Sequence, residues 1–256
     1  MEPVNPMLIF KQMDEIKDEI KSKQPLVGSI ENLINISQEY KETNPIFEKR
    51  IIELSKEFPK VQRMRADGNC FYRGFFYALF LFLIQSNDKD SLTYFQKKFA
   101  FFRTKLEKRY GEFIMEMFCD SIDDVLLSIE QKTLDEEKLL DLFNEQMTSE
   151  SIVAYARFLT STYISENQST FSFYVPMGMT VSEYCKQNIE PMEQEADHPE
   201  IFSLSSALLD ESTGLAIQKI DGKVNENYQT LIFPNQDSNP KFNLLYRPGH
   251  YDILFK

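Results

Sequence analysis

Asp67-Gly68-Asn69-Cys70-Phe71-Tyr72-Arg73 places a cysteine where a loop turns into a long apolar helix. Gly68 admits a tight backbone turn, and Asn69 is suited to cap the helix. The unpaired N–H groups of the first turn direct a positive field at the Cys70 sulfur. Such a site favours the thiolate, which is the reactive form of the side chain. The apolar run that follows, Phe75 to Ile84, has about half the roughly twenty residues a membrane helix needs, so it reads as a buried helix. Its aromatic residues, with Phe71 and Tyr72, are core on a helix apolar nearly all round rather than a cofactor box.

The other end of the chain supplies what a nucleophile requires. In Tyr246-Arg247-Pro248-Gly249-His250-Tyr251-Asp252-Ile253-Leu254 a turn feeds a strand. Side chains alternate along a strand, so His250 and Asp252 project from one face. The carboxylate can then accept from one imidazole nitrogen while the other faces a thiol. Nucleophile, base and orienting acid are thus all available. A cysteine and a distant histidine alone carry little weight, because buried cysteine is usually inert core. The glycine-flanked helix start and the acid two residues after the histidine raise it.

These two stretches closely resemble the otubain branch of the ovarian-tumour-domain deubiquitinases. The similarity extends through Gln24-Pro25-Leu26-Val27, Asn188-Ile189-Glu190-Pro191-Met192 and Glu195-Ala196-Asp197-His198, so it spans nearly the whole chain. It implies a papain-like α+β fold and a cysteine isopeptidase that removes ubiquitin through a thioester, with ubiquitin and polyubiquitin chains as partners. Lysine-48-linked chains are the implied substrate. The resemblance implies Cys70 as nucleophile, His250 as general base and acid, and Asp252 as the residue that orients it. Asp67 falls in the loop whose backbone N–H, with that of Cys70, meets the oxyanion. Gly68, Asn69, His198 and Gly249 are the implied substrate contacts, His198 toward the distal ubiquitin. Read locally, His198 between Asp197 and Pro199 is a capping and surface residue, and Asp67 is a turn residue. Two other functions stay open: a binder that holds ubiquitin-charged conjugating enzymes without cleavage, and a general cysteine protease.

Composition sets limits. A net charge of -12 argues against nucleic acid, which needs a cationic surface to displace counterions. Three cysteines, Cys70, Cys119 and Cys185, form no paired spacing. A disulfide framework or zinc cluster is therefore not expected, which fits a reducing, cytoplasmic compartment, with the nucleus also open. Cys119 and Cys185 read as core. No cofactor or metal motif is present, and no secretory signal or membrane segment is expected.

The elements expected in order begin with an arm over residues 1–23, in which Ile9, Met13, Ile16 and Ile20 make a narrow apolar stripe on a helix from Met7 to Lys23. The family resemblance sets such a segment against the proximal ubiquitin. Residues 24–256 form the catalytic domain. A helix pair is expected over Ile30–Tyr40 and Asn44–Phe58, and after the Cys70 helix four more over Leu92–Glu107, Gly111–Glu130, Leu134–Met147 and Ser149–Tyr163. Thr180-Val181-Ser182-Glu183 is a capping box, and Asp197 starts a helix to about Leu209. Strands are expected over Leu215–Ile220, Tyr228–Phe233, Phe242–Arg247 and His250–Phe255. Helices first and strands later give an α+β domain, its helical part packed on a small, mainly antiparallel C-terminal sheet.

Overall fold

The structure, a computed structural model, describes residues 19–20, 22–220 and 228–256. Most of the arm lies outside the described residues; of its end, Glu19, Ile20, Ser22 and Lys23 are helical. The main helices are α1 (Pro45–Leu54), α2 (Cys70–Ser86), α3 (Lys89–Tyr110), α4 (Glu112–Glu130), α5 (Glu136–Asn144), α6 (Gln146–Glu166) and α7 (His198–Leu208). Both capping boxes form, Thr180 with Glu183 and Asp197 with Glu200. Among the described residues no helix is long and apolar enough to cross a membrane.

The expected α+β class holds, and the sheet is larger than expected. Its strands are β1 (Val27–Asn32), β2 (Lys60–Met64), β3 (Gly214–Lys219), β4 (Gln229–Phe233), β5 (Pro240–Arg247) and β6 (His250–Phe255). They lie in the order β1-β2-β6-β5-β3-β4, antiparallel except for the parallel β3–β5 pair. The helix expected from Ile30 is thus replaced by β1 and a short helical stretch, Ile34–Ser37 then Gln38–Tyr40. Pairing across the sheet overrides local propensity there: Ile30 faces Gln62 and Val61 faces Leu254.

Alternation on β5 and β6 sorts two cores. Leu244 and Ile253 pack in the large core around α2, while Leu245 and Leu254 join Leu33, Ile36, Phe47, Ile51 and Leu54 on the opposite face. The sheet is therefore covered on both faces, by α2 and its neighbours on one side and the N-terminal layer on the other. Asp252 shares the register of Leu254, which turns it toward the N-terminal layer. The loop from β2 into α2 carries Asp67 through Asn69 along the sheet's end.

Candidate active site

Pro248 and Gly249, with φ +75° at Gly249, close the two-residue turn that pairs Arg247 with His250. The turn starts β6 at His250, so His250 and Asp252 fall on one face. Asp252 Oδ1 lies 2.8 Å from His250 Nε2. The acid is fully buried and takes two more donors: the Met64 N–H at 3.0 Å and Arg247 Nη2 at 2.7 Å. The β2–β6 ladder stops at Gln62–Ile253, and the Asp252 carboxylate takes the next β2 donor. Burial works to raise the Asp252 pKa, but His250, Arg247 and the Met64 N–H hold it at about 2.

Burial likewise disfavours the charged imidazole. The Asp252 carboxylate and the Cys70 sulfur outweigh it and raise His250 to about 9. Nδ1 makes no hydrogen bond of normal geometry, and Nε2 is engaged by Asp252. Nδ1 is therefore the nitrogen left for the thiol. Cys70 is the first residue of α2 and is buried. A thiol at a helix start, an imidazole acting on it and a carboxylate behind the imidazole are thus assembled from opposite ends of the chain.

The loop before Cys70 corrects one expectation. Asn69 does not cap α2 with its side chain. It has already turned into the helical region, at φ -103° and ψ -2°, whereas a capping residue stays extended. Its Oδ1 accepts instead from Arg157 Nη2 at 2.7 Å and the Glu193 N–H at 2.9 Å. The Asn69 N–H donates to Asp67 Oδ1 at 2.9 Å. Gly68 sits at φ +76°, and a Cβ there would lie 2.4 Å from the Glu193 carbonyl oxygen, so both conformation and space require glycine.

Asp67 does more than turn the chain. Its carboxylate forks onto Arg73, Oδ1 at 3.0 Å from Nη1 and Oδ2 at 2.8 Å from Nη2. Its own N–H donates to the Arg65 carbonyl at 3.0 Å. Arg73 is fully buried, so removing the carboxylate strands a buried cation. We expect Asp67→Ala to cost about 3–5 kcal/mol, lowering Tm by roughly 10 °C in a calorimetric melt. Asp67→Asn retains the shape and an acceptor and should cost less. Equal, small shifts in both would show that the pair contributes little.

Of the remaining expected residues, Gly249 adjoins the base in its turn and His198 lies apart. Gly249 faces the Glu195 carboxylate, 3.3 Å from where a Cβ would stand. His198 begins α7, its N–H bonded to Asp197, and its ring meets Tyr174, Phe202 and Phe233 in an aromatic group of its own. Cys119 and Cys185 are buried, and burial raises both thiols, Cys119 to about 12. Among the described residues no cluster of three or more histidines, cysteines or carboxylates is placed to hold a metal. Two arginines escaped the sequence reading, Arg247 behind Asp252 and Arg157 behind Asn69. The one local signal for Arg157 is a charge inside the apolar run Tyr155-Ala156-Arg157-Phe158-Leu159.

A sheet covered on both faces, with a helix-start cysteine served by a strand histidine and acid, defines a papain-like cysteine peptidase. The chain belongs to the otubain family: the model described as Peptidase C65 Otubain matches residues 19–256. It is 36% identical over 249 residues to ubiquitin thioesterase OTUB1 of Homo sapiens, covering 97% of this chain and 89% of the relative. It is 32% identical to the ubiquitin thioesterase otubain-like of Caenorhabditis elegans, covering 96% and 86%. The solved structure of h/ceOTUB1 with ubiquitin aldehyde and UBCH5B~Ub is 31% identical and superposes with a TM-score of 0.87 over 98% of each chain. A second, with UBC13~Ub, matches equally.

Proposed function

We propose that this chain is a deubiquitinating cysteine isopeptidase that cleaves ubiquitin chains, lysine-48-linked chains among them. The observation that carries this reading is the buried Asp252 holding one nitrogen of an imidazole whose proton affinity Cys70 itself raises. His250 accepts the Cys70 proton, and the sulfur attacks the carbonyl carbon of ubiquitin's terminal glycine. Negative charge then builds on the carbonyl oxygen, within reach of the N–H groups around Cys70. His250 returns its proton to the departing lysine amine as the C–N bond breaks, leaving a thioester. A water deprotonated by His250 attacks the thioester and frees ubiquitin and the thiol. The Asp67 N–H joins the oxyanion site by exchanging the Arg65 carbonyl for the substrate oxygen, since a bond spanning three residues is a weak one.

A ubiquitin C-terminal reporter assayed beside a generic peptide tests the reading, with hydrolysis of the reporter alone expected. Equal turnover of the peptide would instead indicate a general protease. A panel of differently linked diubiquitins tests linkage. On the same panel, deleting residues 1–23 should raise KM for lysine-48-linked diubiquitin while leaving the reporter nearly unchanged. Loss of both activities with a fall in Tm would mean that the segment packs as part of the domain.

A second activity, holding a ubiquitin-charged conjugating enzyme without cleavage, is supported by the conjugating-enzyme complexes of the similar structures. An uncovered apolar face at the start of α4, where Phe113, Ile114 and Met117 are exposed, suits such a partner. Suppression of chain synthesis by a Cys70→Ala chain, relieved by Phe113→Glu, would support it.

A further inference from the structure

We propose that Arg157 is a positioning residue for catalysis, clamping the loop before Cys70 to the segment 189–196 that runs beside it. The inference deepens the isopeptidase reading and rests on it. Arg157 lies on α6 with its side chain fully buried, and desolvation lowers its pKa. Burying a guanidinium is costly unless it is well partnered, and in Arg157 the two terminal nitrogens carry the hydrogen bonds while Nε makes none among the described residues. Here Nη1 donates to the Ile189 carbonyl at 3.0 Å. Nη2 reaches the Gly68 carbonyl at 3.0 Å, Asn69 Oδ1 at 2.7 Å and the Gln194 carbonyl at 2.7 Å. Its charged carbon stands 4.4 Å from the centroid of the Tyr72 ring, two residues past the nucleophile.

None of these acceptors belongs to α6. All lie in the loop that ends at Cys70 or in the segment facing it. The two segments are also interlocked without the arginine. The Glu193 N–H donates to Asn69 Oδ1, and the Glu193 carbonyl fills the space a Gly68 side chain would need. Farther along, the Tyr251 hydroxyl donates to the Ala196 carbonyl at 3.3 Å, tying the same segment to β6 between His250 and Asp252. Arg157 therefore joins the nucleophile's loop to the segment anchored beside the base. By taking up the Gly68 carbonyl it also fixes the peptide whose oxygen, if free to rotate, could meet the developing oxyanion with like charge. A planar fork suits several acceptors in fixed directions better than the point charge of lysine.

The test separates loop placement from mere support of the fold. Arg157→Gln and Arg157→Lys are compared with the native chain on a ubiquitin C-terminal reporter, alongside alkylation of Cys70 by iodoacetamide. Alkylation needs only an accessible sulfur and its base, whereas acyl transfer also needs the loop. For Arg157→Gln we expect kcat to fall about 100-fold with KM and the alkylation rate each within about threefold. Arg157→Lys should recover part of the loss. A kcat within about threefold of native, a change confined to KM, or alkylation falling in step with kcat would each overturn the clamp. If Arg157→Gln does not fold, Asn69→Ala removes the Oδ1 that both Arg157 and the Glu193 N–H bind and should give the same split, a smaller loss of kcat with unchanged KM; its absence also overturns the proposal. A native chain that fails to hydrolyse the reporter refutes the enzymatic reading itself, whereas an active native chain with unsplit variants refutes the clamp alone.

Discussion

Cys70→Ala is expected to abolish cleavage of every ubiquitin substrate, by roughly 10⁴-fold or more in kcat, while leaving ubiquitin binding and the fold in place. The change removes one sulfur atom at the start of α2. The alanine that replaces it is a better helix former, and the neighbours Phe71, Tyr72 and Phe75 remain buried in the core. The other two thiols provide the contrast. Cys119 packs within α4, and Cys185 lies against Ser165 and the Ser161 carbonyl. Burial holds both as neutral thiols near pH 7, without an imidazole to accept their protons. Cys119→Ala and Cys185→Ala should therefore retain activity and lose only some stability from the small cavities left behind. A ubiquitin vinyl-type probe, followed by peptide mapping, should modify Cys70 alone. Cleavage surviving in Cys70→Ala, or probe adducts on either other cysteine, would mean that the nucleophile is elsewhere.

The parts of this site that were legible in the sequence share one property: their chemistry is local. Gly68, Asn69 and Cys70 are consecutive, and His250 and Asp252 share a strand face by alternation. The capping boxes at Thr180 and Asp197 are likewise complete within four residues, and both formed. What the sequence hid depends on pairing between distant segments. β1 has Val27 alone fully buried, so its pattern does not alternate as a strand should. It becomes a strand by lying beside β2, which is itself placed by β6 from the far end of the chain. The arginines were hidden for the same reason. A lone arginine on an apolar helix gives no sign of which carbonyls will surround it, and Arg247 reads simply as the residue before a turn.

Asp252→Ala is expected to lower kcat by roughly 10- to 1,000-fold and to move the alkaline limb of kcat/KM to lower pH. The carboxylate holds the imidazole tautomer through Nε2, and its charge supports the imidazolium that must protonate the leaving amine. With Asp252 present the ring keeps its proton up to about 9. Without it, a buried ring falls back toward the ordinary value near 6.5, so the acid form needed for amine departure is lost earlier as pH rises. The direction for stability follows from the same shift. The folded-state pKa of His250 lies above its unfolded value, so its contribution is complete below about pH 6.5 and is lost as pH rises through about 9. The stability gap between native and Asp252→Ala chains should accordingly narrow across that window. A gap should persist above it, because Arg247 loses its closest partner in a buried setting and, among the described residues, keeps Tyr40 and Glu39. Reporter kinetics from pH 6 to 10 with parallel melts measure both. An alkaline limb that stays near pH 9 in Asp252→Ala would show that another group sets the proton affinity of His250.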